Sequence, residues 1–283
     1  MKLARYRKDG QTAIGLVEGD AVTRLSGRID GIGEDMIALI AQWDALRARI
    51  EGLAGGRDVG LSDVDLLAPI SRPGKIWGIG LNYADHVAEA AMETPSHQSW
   101  FVMAQTTVAG PFQPIERPRA SGALDYEAEM VFVIGKGGRH ISEEDAPNHI
   151  FGYCVGNDVS VRDFQFHSGQ FSIGKSFDTH APFGPWIVTP DEIDAKNLPI
   201  RSFVNGEKRQ ESNTRHLIYD PAKQIAYLSQ AMTLEPGDVF FTGTPGGVGA
   251  AMKPPQFLAP GDRVRVEIDG IGFIENIVVE EAA

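Results

Sequence analysis

The chain has 283 residues, 42% hydrophobic and 23% charged, with a formal net charge of −12 at pH 7. Its length suits one large domain with a small companion, and the acidic balance without any Lys/Arg run excludes an ordinary nucleic-acid binder. A single cysteine, Cys154, rules out an intrachain disulfide and a cysteine-based zinc site.

The first residues lack the apolar core of a signal peptide, and no apolar run reaches membrane-spanning length, so a cytoplasmic protein is expected. Residues 1–68 read as a small α+β unit. Short strands at 13–16 and 21–25 flank the turn Glu18-Gly19-Asp20, and one helix is expected from 35 to 53, where Ile37, Ile40, Trp43 and Ile50 recur at helical spacing. Residues 69–74 are a plausible linker into a main domain running from 69 to 283.

That domain opens with Asn82-Tyr83-Ala84-Asp85-His86-Val87-Ala88-Glu89. On a helical turn His86 and Glu89 are neighbours, and a carboxylate beside an imidazole raises its basicity, as a water-activating base requires. A solvated His/Glu pair has the same spacing. Next comes Glu127-Ala128-Glu129, leading into the strand-like Met130-Val131-Phe132-Val133-Ile134. Alternation puts Glu127, Glu129, Val131 and Val133 on one face. Two buried carboxylates side by side need a counter-charge, and a hard divalent cation with Asp158 as third ligand supplies one. The alternative is an exposed edge strand with solvated acids. Along the Asp158 strand Gly152, Cys154 and Gly156 are small and are expected to leave space for a ligand. Between the two strands, Ser142-Glu143-Glu144-Asp145 matches the start of one short helix.

Arg162 and Gln165 follow Asp158 and suit an oxygen-rich anion, or else a surface turn. The run Gly169 to Ser176 matches the phosphate-loop pattern, but Pro182 and Pro185 forbid the helix that motif needs. Lys175 remains as a candidate oxyanion-stabilising cation. A helix capped by Asp220 is expected over 221–232, and a hairpin turning at Asp269-Gly270 over 262–279. Between them Thr242-Gly243-Thr244-Pro245-Gly246-Gly247 lets backbone N–H groups and the Thr244 hydroxyl approach a carboxylate. The whole reads as a strand-dominated α+β protein with a mixed or antiparallel sheet rolled into a sandwich or barrel.

In this order, five segments resemble the fumarylacetoacetate hydrolase superfamily: Gly80-Leu81-Asn82-Tyr83 with His86 and Glu89; Asp125-Tyr126-Glu127-Ala128-Glu129; Asn157-Asp158-Val159-Ser160-Val161-Arg162 with Gln165; Gly174-Lys175-Ser176; and Thr242 to Gly249. The resemblance implies a mixed β-sandwich roll, a homodimer, and Mg²⁺ or Mn²⁺ held by Glu127, Glu129 and Asp158. It makes His86 with Glu89 the water-activating pair, and sets Lys175 and Gln165 at the reacting oxygens. Arg162, Thr244 and Tyr83 become substrate contacts. It departs at residues 101–107, where many relatives carry a lysine and this chain has none.

The implied activity is hydrolysis of the C3–C4 bond of an anionic 2,4-diketo acid of the acylpyruvate type, giving pyruvate and a carboxylic acid. The branch resembled most acts on sugar acids such as L-2,4-diketo-3-deoxyrhamnonate, with L-lactate as the second product. Decarboxylation or isomerisation of oxaloacetate or a related 2-keto acid is the enzymatic rival, and a metal-stabilised binding protein the non-enzymatic one.

Overall fold

The apolar run that follows Glu129 forms the spine of the molecule. A computed structural model describes residues 1–84 and 96–282 of the chain, so His86 and Glu89 lie outside the described residues. The first unit supplies β1 (Lys2–Lys8), β2 (Gln11–Glu18), β3 (Ala21–Arg24), helices α1 (Met36–Ile40) and α2 (Trp43–Glu51), β4 (Val59–Gly60) and β5 (Asp65–Leu67). Next come β6 (Ile76–Gly80), β7 (Ser99–Val102), β8 (Val108–Ala109), β9 (Ile115–Arg117) and β10 (Leu124–Asp125). The middle holds β11 (Ala128–Ile134), β12 (Ile150–Asn157), β13 (Ser160–Val161) and β14 (Ala181–Val188). The last third adds β15 (Pro199–Val204), β16 (Glu207–Asn213), β17 (Val239–Phe241), β18 (Arg263–Ile268) and β19 (Gly272–Glu280).

Two sheets carry the fold. The larger runs β4-β3-β2-β1-β14-β12-β11-β17-β6-β7, with β5 beside β1 and β8 beside β14; the smaller runs β16-β15-β18-β19-β9. Most pairs are antiparallel, while β17–β6, β14–β8 and β19–β9 are parallel, so both sheets are mixed. This is the strand-dominated α+β sandwich roll that the sequence predicts. β11 is buried along its whole length. Met130, Phe132 and Ile134 on one face pack with Ile200, Val266 and Ile274 of the smaller sheet. Val131 and Val133 on the other join Leu3, Phe183 and Phe241. Each fully buried side chain of this size contributes roughly 1.5–3 kcal/mol, which fixes the register of the acids just ahead of the strand.

The first unit does not stand apart from this core. Lys2 and Leu3 of β1 pair with Val188 and Ile187 of β14, adding its strands to the larger sheet. Its expected single helix is two. Asp35 caps α1 by accepting from Ile37 N, but Gln42 leaves helical geometry at φ −111°. The Gln42 side-chain amide then donates to the Ala38 carbonyl, the acceptor a continuing helix gives to a backbone N–H. The break lets Trp43 meet the edge of Phe151 with ring centroids 5.0 Å apart.

The Ser142 cap exists, with its hydroxyl accepting from Asp145 N at 3.1 Å, but leads only into the 3₁₀ turn Ala146–His149 containing Pro147. The helix Pro221–Ala231 is capped by Asp220 and the final hairpin turns at Gly270, both as predicted. Lys175 starts no helix: the chain runs on into β14 and its two prolines.

Candidate active site

Antiparallel pairing sets Ala128 against Asn157 and Glu129 against Gly156. Glu127, just before β11, therefore faces Asp158, just after β12, and Asp158 N donates to the Glu127 carbonyl at 3.0 Å. Glu127, Glu129 and Asp158 are all buried, and each offers a carboxylate oxygen within 4.8 Å of the others. Gly243, at φ +97° after β17, donates its N–H to Glu129 Oε2 at 2.7 Å. A Cβ there would meet the Asn82 Cβ at 2.7 Å, so glycine serves both the turn and the close approach.

Two cations reach this cluster. Lys175 Nζ donates to Glu127 Oε2 and Asp158 Oδ2, both at 2.7 Å. Arg162 donates from Nη1 to Glu127 Oε1 at 2.6 Å and to Gln165 Oε1 at 2.9 Å, and from Nε to Asp125 Oδ2 at 2.8 Å. Four buried carboxylates thus face two cations, leaving two formal negative charges uncompensated among the described residues. Burial first, then the charges of Asp158 and Glu127, holds Glu129 well above the ordinary carboxylate range. Burial raises Asp158 to about 7 despite Lys175 beside it. For Lys175 burial acts downward, yet Asp158 and Glu127 outweigh it and keep the ammonium above its usual value.

These residues fit a divalent cation. The donor set is all oxygen, the formal deficit of two charges matches the charge of Mg²⁺ or Mn²⁺, and the buried Oδ1 of Asp158 has no hydrogen-bond partner among the described residues. A cavity of about 380 Å³ opens beside them. Glu127, Arg162, Gln165, Lys175 and Thr244 line its inner end. Surface clefts of about 630 and 880 Å³ are larger but hold no such carboxylate set among the described residues, so chemistry rather than volume picks the site.

The other expected residues divide. Gln165 is on the cavity wall, where it accepts from Arg162. The Thr244 hydroxyl, also on the wall, donates to the Ala128 carbonyl at 3.0 Å and accepts from Gln210 Nε2 at 2.8 Å, so it braces β11. Tyr83 is placed elsewhere: it is fully buried in the apolar core with Phe132 and Phe240 and is not on the cavity wall. The expected ligand space beside Gly152 and Gly156 is also absent. A Cβ at Gly156 would lie 2.5 Å from Val131 Cγ2 and 2.7 Å from Phe241, and one at Gly152 would strike Val188 and Ile187. Those glycines admit core side chains.

Asp125 stands beside the carboxylate set, in a position that the sequence alone gives no role. Its Oδ1 accepts from Gly249 N at 2.8 Å and its Oδ2 from Ala250 N at 2.9 Å and from Arg162, tying the glycine-rich loop to the guanidinium. Its signal is the same alternation carried back two residues from Glu127. Asn82 was likewise unassigned; its amide bridges the Thr242 and Tyr219 carbonyls.

Known proteins resemble this chain in sequence and in fold. The family model described as fumarylacetoacetate (FAA) hydrolase C-terminal matches residues 75–279, and one described as Rv2993c-like, N-terminal, matches residues 1–69. The chain is 49% identical over 221 residues to oxaloacetate tautomerase fahd2, mitochondrial, of Xenopus laevis, covering 77% of this chain and 69% of that protein. The crystal structure of maleylpyruvate hydrolase from Sphingobium sp. SYK-6, in complex with manganese(II) ion and pyruvate, matches with a TM-score of 0.84 at 32% identity, covering 100% of both chains. That of 2-hydroxyhepta-2,4-diene-1,7-dioate isomerase from Mycobacterium marinum matches with a TM-score of 0.79 at 32% identity, again over 100% of both. The chain belongs to the fumarylacetoacetate hydrolase family, among whose members here are a hydrolase, an isomerase and a tautomerase.

Proposed function

We propose that the protein hydrolyses the C3–C4 bond of a 2,4-diketo acid of the acylpyruvate type, releasing pyruvate or a substituted pyruvate and a carboxylic acid. The observation that carries this is the uncompensated carboxylate set at the closed end of a small cavity, with two buried cations beside it. Glu127, Glu129 and Asp158 would hold Mg²⁺ or Mn²⁺, which supplies Lewis acidity for withdrawing electrons from a 2-keto acid.

The remaining work falls to this chain's side chains. Arg162 orients the substrate carboxylate: its Nη2 is buried and has no hydrogen-bond partner among the described residues, while Nε and Nη1 are spent on Asp125, Glu127 and Gln165. Lys175 stabilises the oxyanion formed at C4, and Gln165 contacts the same oxygens. His86, oriented by Glu89, takes the proton from the attacking water and returns it as the bond breaks. L-2,4-diketo-3-deoxyrhamnonate, giving pyruvate and L-lactate, is the sugar-acid candidate. The enzyme works as a cytoplasmic homodimer in this reading, which light scattering of the purified protein tests for oligomeric state.

A second reading is supported by the 49% identity to an oxaloacetate tautomerase. Tautomerisation uses the same polarised 2-keto acid but needs no attacking water. A panel of acylpyruvates, the deoxyrhamnonate and oxaloacetate, assayed with and without Mg²⁺ or Mn²⁺, separates the two. Pyruvate release from a diketo acid supports hydrolysis, whereas loss of enol absorbance from oxaloacetate with no pyruvate from any diketo acid overturns it in favour of tautomerisation.

A further inference from the structure

The outer half of the cavity has a different chemistry from its inner end. Phe101 and Phe171 stand edge to face with centroids 6.2 Å apart, and Phe171 meets Phe166 at the same separation. All three line the cavity, facing the Val248 to Ala251 segment. Phe101 marks the boundary: Lys175 Nζ lies 5.1 Å from its ring centroid. Farther out the wall is apolar to its lip, where Phe166 is 67% exposed.

This wall is seated by the backbone. In β6 the run Trp77-Gly78-Ile79-Gly80 turns its two glycines toward the rings. A Cβ on Gly78 would overlap the Phe101 ring, and one on Gly80 would touch Phe171 Cε2 at 3.4 Å. The facing segment is fastened through the Gly249 and Ala250 N–H groups on Asp125. Both sides are therefore set by close-packed contacts, and the slot between them is a built feature.

We infer that this outer half is an acyl-tail subsite selecting 2-keto acids with an apolar tail, and that it rejects a second carboxylate. The charged residues among the described lining are Glu127, Arg162 and Lys175, and each is already engaged at the inner end. A carboxylate placed between Phe101, Phe166 and Phe171 would lose hydration without gaining a charged partner among the described residues. An alkyl or aryl tail would bury apolar area there. The inference deepens the acylpyruvate reading, rests on it for how the substrate head is placed, and favours alkyl- or aryl-tailed acylpyruvates over the hydroxylated tail of the deoxyrhamnonate.

Calorimetric titration of the full chain at saturating Mn²⁺ tests it. The probes are the unhydrolysable series pyruvate, 2-oxobutanoate, 2-oxopentanoate and 2-oxohexanoate, with 2-oxoglutarate as the dicarboxylate matched in length to 2-oxopentanoate. Affinity should rise about fourfold per methylene, and 2-oxoglutarate should bind at least about tenfold more weakly than 2-oxopentanoate. In Phe171→Ala the ratio of 2-oxohexanoate to pyruvate affinity should collapse. Gly80→Val, which drives a side chain at the Phe171 ring, should collapse it independently if the melting temperature shows a folded protein. A flat series, a preference for 2-oxoglutarate, or no binding of any probe overturns the subsite. A steep series with no acylpyruvate hydrolysis overturns the hydrolase reading alone, and a flat series with hydrolysis intact overturns the subsite alone.

Discussion

Two lysines in this molecule each bridge a pair of carboxylates, with opposite consequences. Lys75 joins Glu235 at 2.5 Å and Asp238 at 3.1 Å, with Glu235 64% exposed. Lys175 joins Glu127 and Asp158 with all three side chains no more than 8% exposed. Around Lys75 one carboxylate keeps its water and the two acids exceed the cation by one formal charge, so the cluster pins a turn without gathering a carboxylate set for a metal. Around Lys175 water is excluded and Glu129 adds a further acid, so without a bound cation the cluster meets its shortage of positive charge by keeping a proton on Glu129, which a divalent cation would displace. Burial and charge count separate a brace from a site.

The contrast is broken most directly at the acids. Asp158→Asn and Glu129→Gln should each lower kcat/KM on the order of a thousandfold and abolish the rise in melting temperature that Mn²⁺ gives the parent protein. Near-parental activity in either variant would mean that the carboxylates hold no catalytic cation.

Next in size is Lys175→Met. Without metal it leaves Glu127 and Asp158 short of a partner, and urea unfolding in EDTA should show a loss of about 3–5 kcal/mol. Saturating Mn²⁺ should shrink that deficit by supplying the missing charge. An equal deficit with and without Mn²⁺ would assign Lys175 a packing role only.

His180 sharpens the same rule at a single group. Burial lowers it to about 4, because the Glu116 carbonyl it bonds at 2.8 Å and the charge of Asp178 do not offset desolvation. The folded state thus prefers neutral imidazole. Its stabilisation is complete above the ordinary value of 6.5 and is lost as pH falls from there through about 4. Over that window the parent should lose on the order of 3 kcal/mol more than His180→Gln. Parallel pH profiles for the two proteins would contradict the buried neutral assignment. Smallest of all, Lys75→Met should cost about 1 kcal/mol, with no dependence on Mn²⁺ and kcat/KM within about twofold of the parent.

The acids were legible because strand alternation and a short connection suffice to bring Glu127, Glu129 and Asp158 together. Lys175 was legible as a candidate cation but not as the bridge between two of those acids. It lies 17 residues beyond Asp158, along a path of turns with no period to follow. The glycines of β12 misled for a related reason. Their smallness is written in the sequence, but the Phe241 ring that approaches Gly156 comes from β17, far along the chain. Gln42 shows the limit at short range, since its side chain competes for a carbonyl that periodicity assigns to the backbone.

The pairing of β1 with β14 limits how the chain can be cut. A fragment lacking residues 1–68 would leave the ladder groups of Val188 and Ile187 that face β1 open to solvent and strip Leu3, Ile14 and Met36 from the core behind them. Such an unprotected edge invites pairing with other copies, so the truncated fragment should precipitate or associate where the full chain stays dispersed. Anyone dissecting this enzyme into parts should expect the first unit to act as its built-in protection against aggregation.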